Sequence, residues 1–441
     1  MHNPSLSFFR ALRWSMKQIH LRLGYHASLC VVVSIVFHQA SFAQPNSKQD
    51  SLRIACEQSA KYSDELSGRA VLVMHQGKIV YQHYNQWEEN SPHMLASGTK
   101  SFIGVLAMFA IADNLLTLDE KVCTTLNEWN DDPKKNQITV RHLLTLSSGL
   151  DPADAAFPTR GQGLMQLRGG LLGERQQRIQ RQDQTKRLAD LATGDWFADA
   201  LKVPSKSPPG QRFEYGPSHF YAFGAFLQRK LENRNDIPAK TVEAYAKLRI
   251  MDPLGISIGR WGKDQRGNVN LPGGLALTAQ NWAKFGQFVL DQGSIRDESG
   301  NKKQLLDPEL LALCFVPSNS NHRYGLTWWL NGVDTNADSG IPSSNTPQNR
   351  GTIQERIRAN ALNREADLDD DSAELALPIF MAAGLGKQRL FVIPRKELVI
   401  VRFAEPTREG NRFGNAAFLK PILVAIEDAT EPASYPPTKI P

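Results

Sequence analysis

Three features of this chain predict an α+β fold with one antiparallel sheet. Segments with strand character lie near both ends, segments with helical period fill the middle, and one helix beginning near His93 is apolar almost throughout. The simplest packing joins the N- and C-terminal strands into one sheet flanked by helices, with a mainly helical region inserted over about 105–320. At 441 residues the chain can bury a sizeable core, and 22% charged residues is ordinary for a soluble enzyme.

The first 43 residues read differently. Arg10, Arg13, Lys17 and Arg22 precede the apolar run Ala27 to Phe37, which closes with Ser41-Phe42-Ala43 before Gln44. This is the pattern of a signal peptide, so the expected mature domain is 44–441 and its expected location is the periplasm or the exterior. The apolar run is too short to span a bilayer comfortably, and no stable membrane insertion is expected after cleavage. Starting at Met16 would give the leader a more usual length.

The leader also accounts for the basic balance. It holds four basic and no acidic residues, which takes the formal charge from +6 to +2 in the mature chain. A nearly neutral protein offers no electrostatic reason to bind nucleic acid. Cys56, Cys123 and Cys314 remain, an odd number that allows one disulfide without choosing the pair. No CxxC or CxxH cluster suggests a metal, and no cofactor is expected. Asp369-Asp370-Asp371 is the one acidic run.

In chain order, Leu52 to Leu66 predicts a helix. Arg69 to His75 and Lys78 to Tyr84, joined through Gln76-Gly77, predict a hairpin. The central helix runs from His93 to Ala110, and Gln137 to Leu150 reads as a strand or turn leading into a short helix stopped by Gly149. Phe157 to Gln184, rich in Gly, Gln and Arg, reads as a solvated loop and helix. Pro208 to Ser218 is a tight loop before an apolar-faced helix, His219 to Leu231; Leu254 to Gly274 is glycine-rich and irregular. Thr278 to Leu290 is an amphipathic helix, and Tyr324 to Leu330 reads as a strand. A polar excursion fills about 331–374. Strands Ile379–Ala383, Arg389–Ile393 and Leu398–Phe403 follow, then a helix from Asn415 to Ile426 and a Pro-rich tail.

The central helix carries the chemistry. Ser97 and Lys100 stand at i and i+3 at its mouth, a spacing that puts both side chains on one face within reach of each other. A serine hydroxyl is a poor nucleophile without a neighbouring base, and a lysine serves only where burial or nearby charge lowers its pKa. The apolar residues behind Lys100 supply burial. A second SxxK, Ser299 to Lys302, lies in a charged, turn-rich loop with no apolar run after it. Gly255-Ile256-Ser257-Ile258-Gly259 matches the nucleophile elbow of α/β-hydrolases in letters, but Pro253 before it and Gly259, Trp261 and Gly262 around its end mark a glycine-rich turn.

In order, the SxxK, then Tyr215 in a loop, then a late strand with Gly384 resemble the serine β-lactamase and penicillin-binding superfamily. The resemblance is closest to its class C-like branch of D-aminopeptidases, DD-peptidases and family VIII carboxylesterases. Thr139 to Leu150, Pro208 to Tyr215, Asp252 to Gly255 and Leu275 to Gly286 also fit that branch. The resemblance covers about residues 52–430 and implies a β-lactamase/transpeptidase-like fold. It implies that Ser97 is the acylated nucleophile, Lys100 its base or proton partner, and Tyr215 the second hydroxyl, which takes the nucleophile's proton and later activates water. Gly384 would let substrate lie along its strand, and the backbone N–H groups of Ser97 and Leu385 would form an oxyanion hole. The implied partner is a small ester or amide, or a peptidoglycan-like molecule.

Two departures from that pattern are visible. Pro217, with Ser218 beside it, stands where the family has Asn, and Ala382 stands where it has a cation. Both lost groups help hold a lactam-like substrate, so an ester or amide of a small or D-configured substrate is expected first and a β-lactam or cell-wall peptide second. A binder that no longer hydrolyses is the reading from another class. Lys387 is the nearest candidate for a replacement cation, and Ser218 for a replacement polar contact.

Overall fold

Residues 68–84 form the hairpin their alternation predicts. Strands β1 (Gly68–His75) and β2 (Lys78–Tyr84) pair antiparallel through a two-residue turn in which Gln76 (φ 51°) and Gly77 (φ 75°) both adopt the left-handed conformation. The computed structural model describes residues 48–152, 157, 193–296, 300–332 and 371–427. The expected leader, most of 157–184, most of the polar excursion and Ser299 of the second SxxK lie outside the described residues.

The hairpin joins the C-terminal strands as expected. With β3 (His93–Met94), β4 (Arg260–Trp261), β5 (Leu275–Leu277), β6 (Ser294–Arg296), β7 (Lys302–Gln304), β8 (Trp329–Leu330), β9 (Phe380–Gly384), β10 (Gln388–Ile393) and β11 (Leu398–Ala404), the main sheet has the antiparallel order β2-β1-β11-β10-β9-β8. The pairing of β1 with β11, from His75↔Leu398 to Gly68↔Ala404, is the seam between the two ends of the chain. The inserted region is less purely helical than its composition predicts. It contains β5, which pairs with β3 on one side and β4 on the other, and the small hairpin β6–β7. The strand expected over Tyr324–Leu330 shrinks to β8, because Thr327 turns the backbone out of extended conformation at φ 68°.

Among the described residues, five helices exceed ten residues: α1 (Lys48–Glu65), α2 (Lys100–Ala112), α3 (Ser218–Glu232), α4 (Ala279–Leu290) and α5 (Asn415–Ala425). α1 and α5 cover one face of the main sheet, where Phe418 meets Phe391. α4 covers the other, where Trp282 stacks on Phe403 at 5.6 Å between centroids. Gly286 allows that contact, since a Cβ there would lie 2.5 Å from the Val399 side chain. α2 is buried on all sides from Lys100 to Ala110, as a helix without a polar face must be. Its Gly104 lets the Leu326–Thr327 backbone cross it: a Cβ would stand 2.3 Å from the Leu326 carbonyl. Thr327, strained as a β-branched residue at positive φ, repays that cost with three bonds. Its Oγ1 accepts from the Gly104 N–H, its carbonyl from the Ser101 hydroxyl, and its N–H donates to Leu144.

Candidate active site

The sequence places Ser97 on a helix; the structure places it just before one. Ala96–Thr99 form a 3₁₀ turn, and α2 begins at Lys100. The tighter winding eclipses residues three apart, which serves the pair better than an α-turn would. The Lys100 Nζ donates to the Ser97 Oγ at 2.9 Å. Two features hold the turn in place. Ala96 sits at φ 47°, a strained conformation for a residue with a side chain, directly before Ser97. Gly98 lies under the Trp282 indole, which a Cβ would meet at 2.8 Å.

Lys100 is 5% exposed. The Pro272 carbonyl accepts from Nζ at 2.7 Å, and the ring faces of Tyr215 and Phe220 lie 4.8 and 5.3 Å from it. The structure therefore brings Ser97 and Lys100, from one turn, together with Tyr215 from a separate loop. Pro272 was not foreseen, because a backbone carbonyl in a glycine-rich stretch leaves no side-chain signal. Asn270 shapes that stretch: its side chain accepts from the Tyr221 hydroxyl and its carbonyl from the Trp261 indole.

Tyr215 sits in the predicted loop, stacked on Trp329 at 5.9 Å and flanked by Phe213. The loop is fastened along its length to residues 146–152. Gly210 N–H bonds Ser147 O, Glu214 N–H bonds Leu146 O, and Gly216 packs where a Cβ would strike Pro152 at 2.4 Å. Behind the loop, the wholly buried His219 bonds both the Glu214 carbonyl and Ser148. Burial, aided by the nearby Lys100 charge, lowers its pKa to about 4 against the opposing pull of the Glu214 carbonyl.

Ser218 is a correction. It is wholly buried at the start of α3, and its hydroxyl donates to the Asp151 carbonyl at 2.7 Å, so it is not presented to a substrate. Gly384 has a different reason than expected. At the end of β9 a Cβ would lie 2.0 Å from the Leu95 carbonyl, so this glycine admits the turn that carries Ser97. Ala382, two residues back on the same face of β9, is fully buried and brings no charge. Leu385, 38% exposed, and Lys387, at φ 62°, lie in the turn from β9 to β10, where the Lys387 carbonyl accepts from the buried Arg402.

Cys56, Cys123 and Cys314 are buried and unbridged, so no disulfide forms among them. Burial, with a smaller push from Glu57, raises the Cys56 thiol to about 12. Among the described residues no cluster of three His, Cys, Asp or Glu could hold a metal, and no helix is long and apolar enough to cross a membrane. Gly255–Gly259 is a turn, preceded by helical and turn residues and followed by β4, so it lacks the strand and helix an elbow needs.

No curated protein matches the chain by sequence. Solved structures resemble it in fold. A candidate 6-aminohexanoate-dimer hydrolase from Bacillus anthracis superposes with TM-score 0.53 at 18% identity, over 83% of this chain and 81% of that one. EstCE1, described as a hydrolase with promiscuous acyltransferase activity, gives 0.51 at 16% over 86% and 98%. SurE, solved with D-Leu, gives 0.54 at 13% over 85% and 75%. The profile of the family described as Beta-lactamase matches residues 54–418, and with an antiparallel sheet joining N- and C-terminal strands and a serine and lysine in contact beside the end of β9, the chain belongs to the β-lactamase family of serine hydrolases.

Proposed function

We propose that the chain hydrolyses an ester or amide of a small or D-configured substrate through an acyl-serine intermediate. The single observation behind this is the contact between Lys100 and Ser97, 2.9 Å at a buried amine. Ser97 Oγ attacks the carbonyl carbon while its proton passes to the Tyr215 phenolate, which the Lys100 charge favours. The N–H groups of Ser97 and Leu385 receive the oxyanion, and the abutment of Gly384 on Leu95 supports that placement. Collapse breaks the ester or amide bond, and the departing oxygen or nitrogen takes the proton back from Tyr215. Water then loses a proton to Tyr215 and attacks the acyl carbon, and Ser97 Oγ leaves with that proton.

Ala382 and Pro217 favour esters and amides over β-lactams, since neither can hold the lactam's polar groups. The D-Leu in SurE agrees with a D-configured substrate, and the acyltransferase activity described for EstCE1 with an acyl intermediate. Release of p-nitrophenol from a short-chain ester by the full-length protein, run beside Ser97→Ala, tests the mechanism. Turnover that survives Ser97→Ala would overturn it. Slow penicillin acylation without turnover would point instead to a peptidase or a non-hydrolytic binder. Export through the leader is part of the proposal, and N-terminal sequencing of exported protein should begin near Gln44.

A further inference from the structure

Four residues after Tyr215, a histidine is sealed in the core beside a serine. His219 and Ser148 are both wholly buried. The His219 Nε2 lies 2.8 Å from the Glu214 carbonyl and its Nδ1 lies 2.8 Å from the Ser148 Oγ. A carbonyl only accepts, so Nε2 carries the proton; Nδ1, bare in the neutral ring, accepts from Ser148. The Ser148 Oγ in turn accepts from the Leu150 N–H at 3.3 Å. Leu150, Ser148, His219 and Glu214 thus form a chain of donors pointing one way, in which each bond strengthens the next. It ends on the planar unit that joins Glu214 to Tyr215. The ring stays neutral at ordinary pH, because burial and the Lys100 charge hold its pKa near 4.

We propose that His219 is a positioning residue for Tyr215: through Ser148 and the Glu214 carbonyl it fixes the peptide that carries the phenol, keeping the ring 4.8 Å from the Lys100 Nζ. The proposal rests on Tyr215 acting as the proton acceptor. Histidine fits this place because its two nitrogens, one donor and one acceptor, satisfy two buried partners at once. An apolar side chain would leave both the Glu214 carbonyl and the Ser148 hydroxyl without this bond.

The test uses the full-length protein with His219→Leu, His219→Gln and Ser148→Ala, each alone and combined with Tyr215→Phe, and near-UV circular dichroism to confirm folding. His219→Leu should lower kcat for a p-nitrophenyl ester by about tenfold to a hundredfold, the cost of a misplaced catalytic group, with KM nearly unchanged. His219→Gln, which keeps an N–H near the Nε2 position, should recover most of the loss. In the Tyr215→Phe background neither change should lower kcat by more than about twofold. An equal loss in both backgrounds, or full kcat in folded His219→Leu, would overturn the proposal. Where His219→Leu fails to fold, Ser148→Ala carries the same comparison, with a smaller loss that vanishes in the Tyr215→Phe background. If wild type shows no turnover dependent on Ser97, the proposed function fails. The clamp is then judged by the His219 ring ¹⁵N signals: a proton on Nε2 alone from about pH 6 to 9 supports it, and the opposite tautomer or an imidazolium sinks it.

Discussion

The Lys100 ammonium is shared between the Ser97 hydroxyl at 2.9 Å and the Pro272 carbonyl at 2.7 Å. The first bond couples the amine to the nucleophile; the second fixes where the amine can stand. A lysine held only by Ser97 could swing away once the serine is acylated. Held by Pro272 as well, and faced by the rings of Tyr215 and Phe220, the amine would stay beside the phenol through both halves of the proposed reaction.

Removing that charge should therefore cost more than one proton-transfer step. Lys100→Met, which keeps the apolar stem, is expected to lower kcat for ester hydrolysis by at least about a thousandfold, at the upper end of losses of a general base. Lys100→Arg should not restore it, because a planar guanidinium cannot reproduce the compact ammonium between Ser97 and Pro272. Labelling of Ser97 by a fluorophosphonate reads the first step alone, and both variants should be labelled far more slowly than wild type.

Gly384 offers a test of the scaffold. A Cβ there would sit 2.0 Å from the Leu95 carbonyl, a backbone atom two residues before Ser97, so neither strand nor turn can yield without moving the nucleophile. Gly384→Ala is expected to destabilise the fold by about 1–3 kcal/mol, as overpacking does, and to lower the rate of Ser97 labelling more than tenfold at temperatures where the variant is folded. Thermal unfolding and labelling kinetics on the same sample check both. Wild-type labelling in Gly384→Ala would show that the strand end does not set the turn.

Much of this was legible in the chain because period and punctuation agree with tertiary need. The hairpin alternates around Gln76-Gly77, α2 is buried on every side, and Ser97 stands just before it at the right spacing from its first residue, Lys100. What escaped detection acts through backbone or through burial. Pro272 contributes a carbonyl, Thr327 a strained φ, and the short 3₁₀ turn under Ser97 has no distinct side-chain pattern. Ser218 was misplaced for a related reason. A serine at the start of a helix reads as an available hydroxyl until the chain that covers it, here Asp151, is known.

Lys387 tests how far a lost cation is replaced. It lies in the turn after β9, three residues beyond Gly384, while the strand position itself is a buried alanine. If its ammonium faces bound substrate, Lys387→Ala should raise KM for an ester bearing a carboxylate by about threefold to tenfold and leave a neutral ester of the same length unchanged, the size expected for a partly exposed ion pair. Equal kinetic constants for both esters in wild type and variant would remove Lys387 from the site.

His219 gives the fold a pH dependence of predictable sign. Its pKa falls from 6.5 to about 4 on folding, so between those values the unfolded chain binds a proton that the folded one refuses. Stability from this group is complete above pH 6.5, declines as pH falls through that window, and levels off below pH 4. For a fully buried ring the loss is on the order of 3 kcal/mol. Carboxylates titrate in the same range, so the quantity to measure is the difference between wild type and His219→Gln, which cannot take up the proton. Urea unfolding from pH 7.5 to 4.5 should show the wild type losing stability faster than the variant below pH 6.5. Parallel curves would mean that His219 protonates as readily in the folded protein as in the unfolded chain.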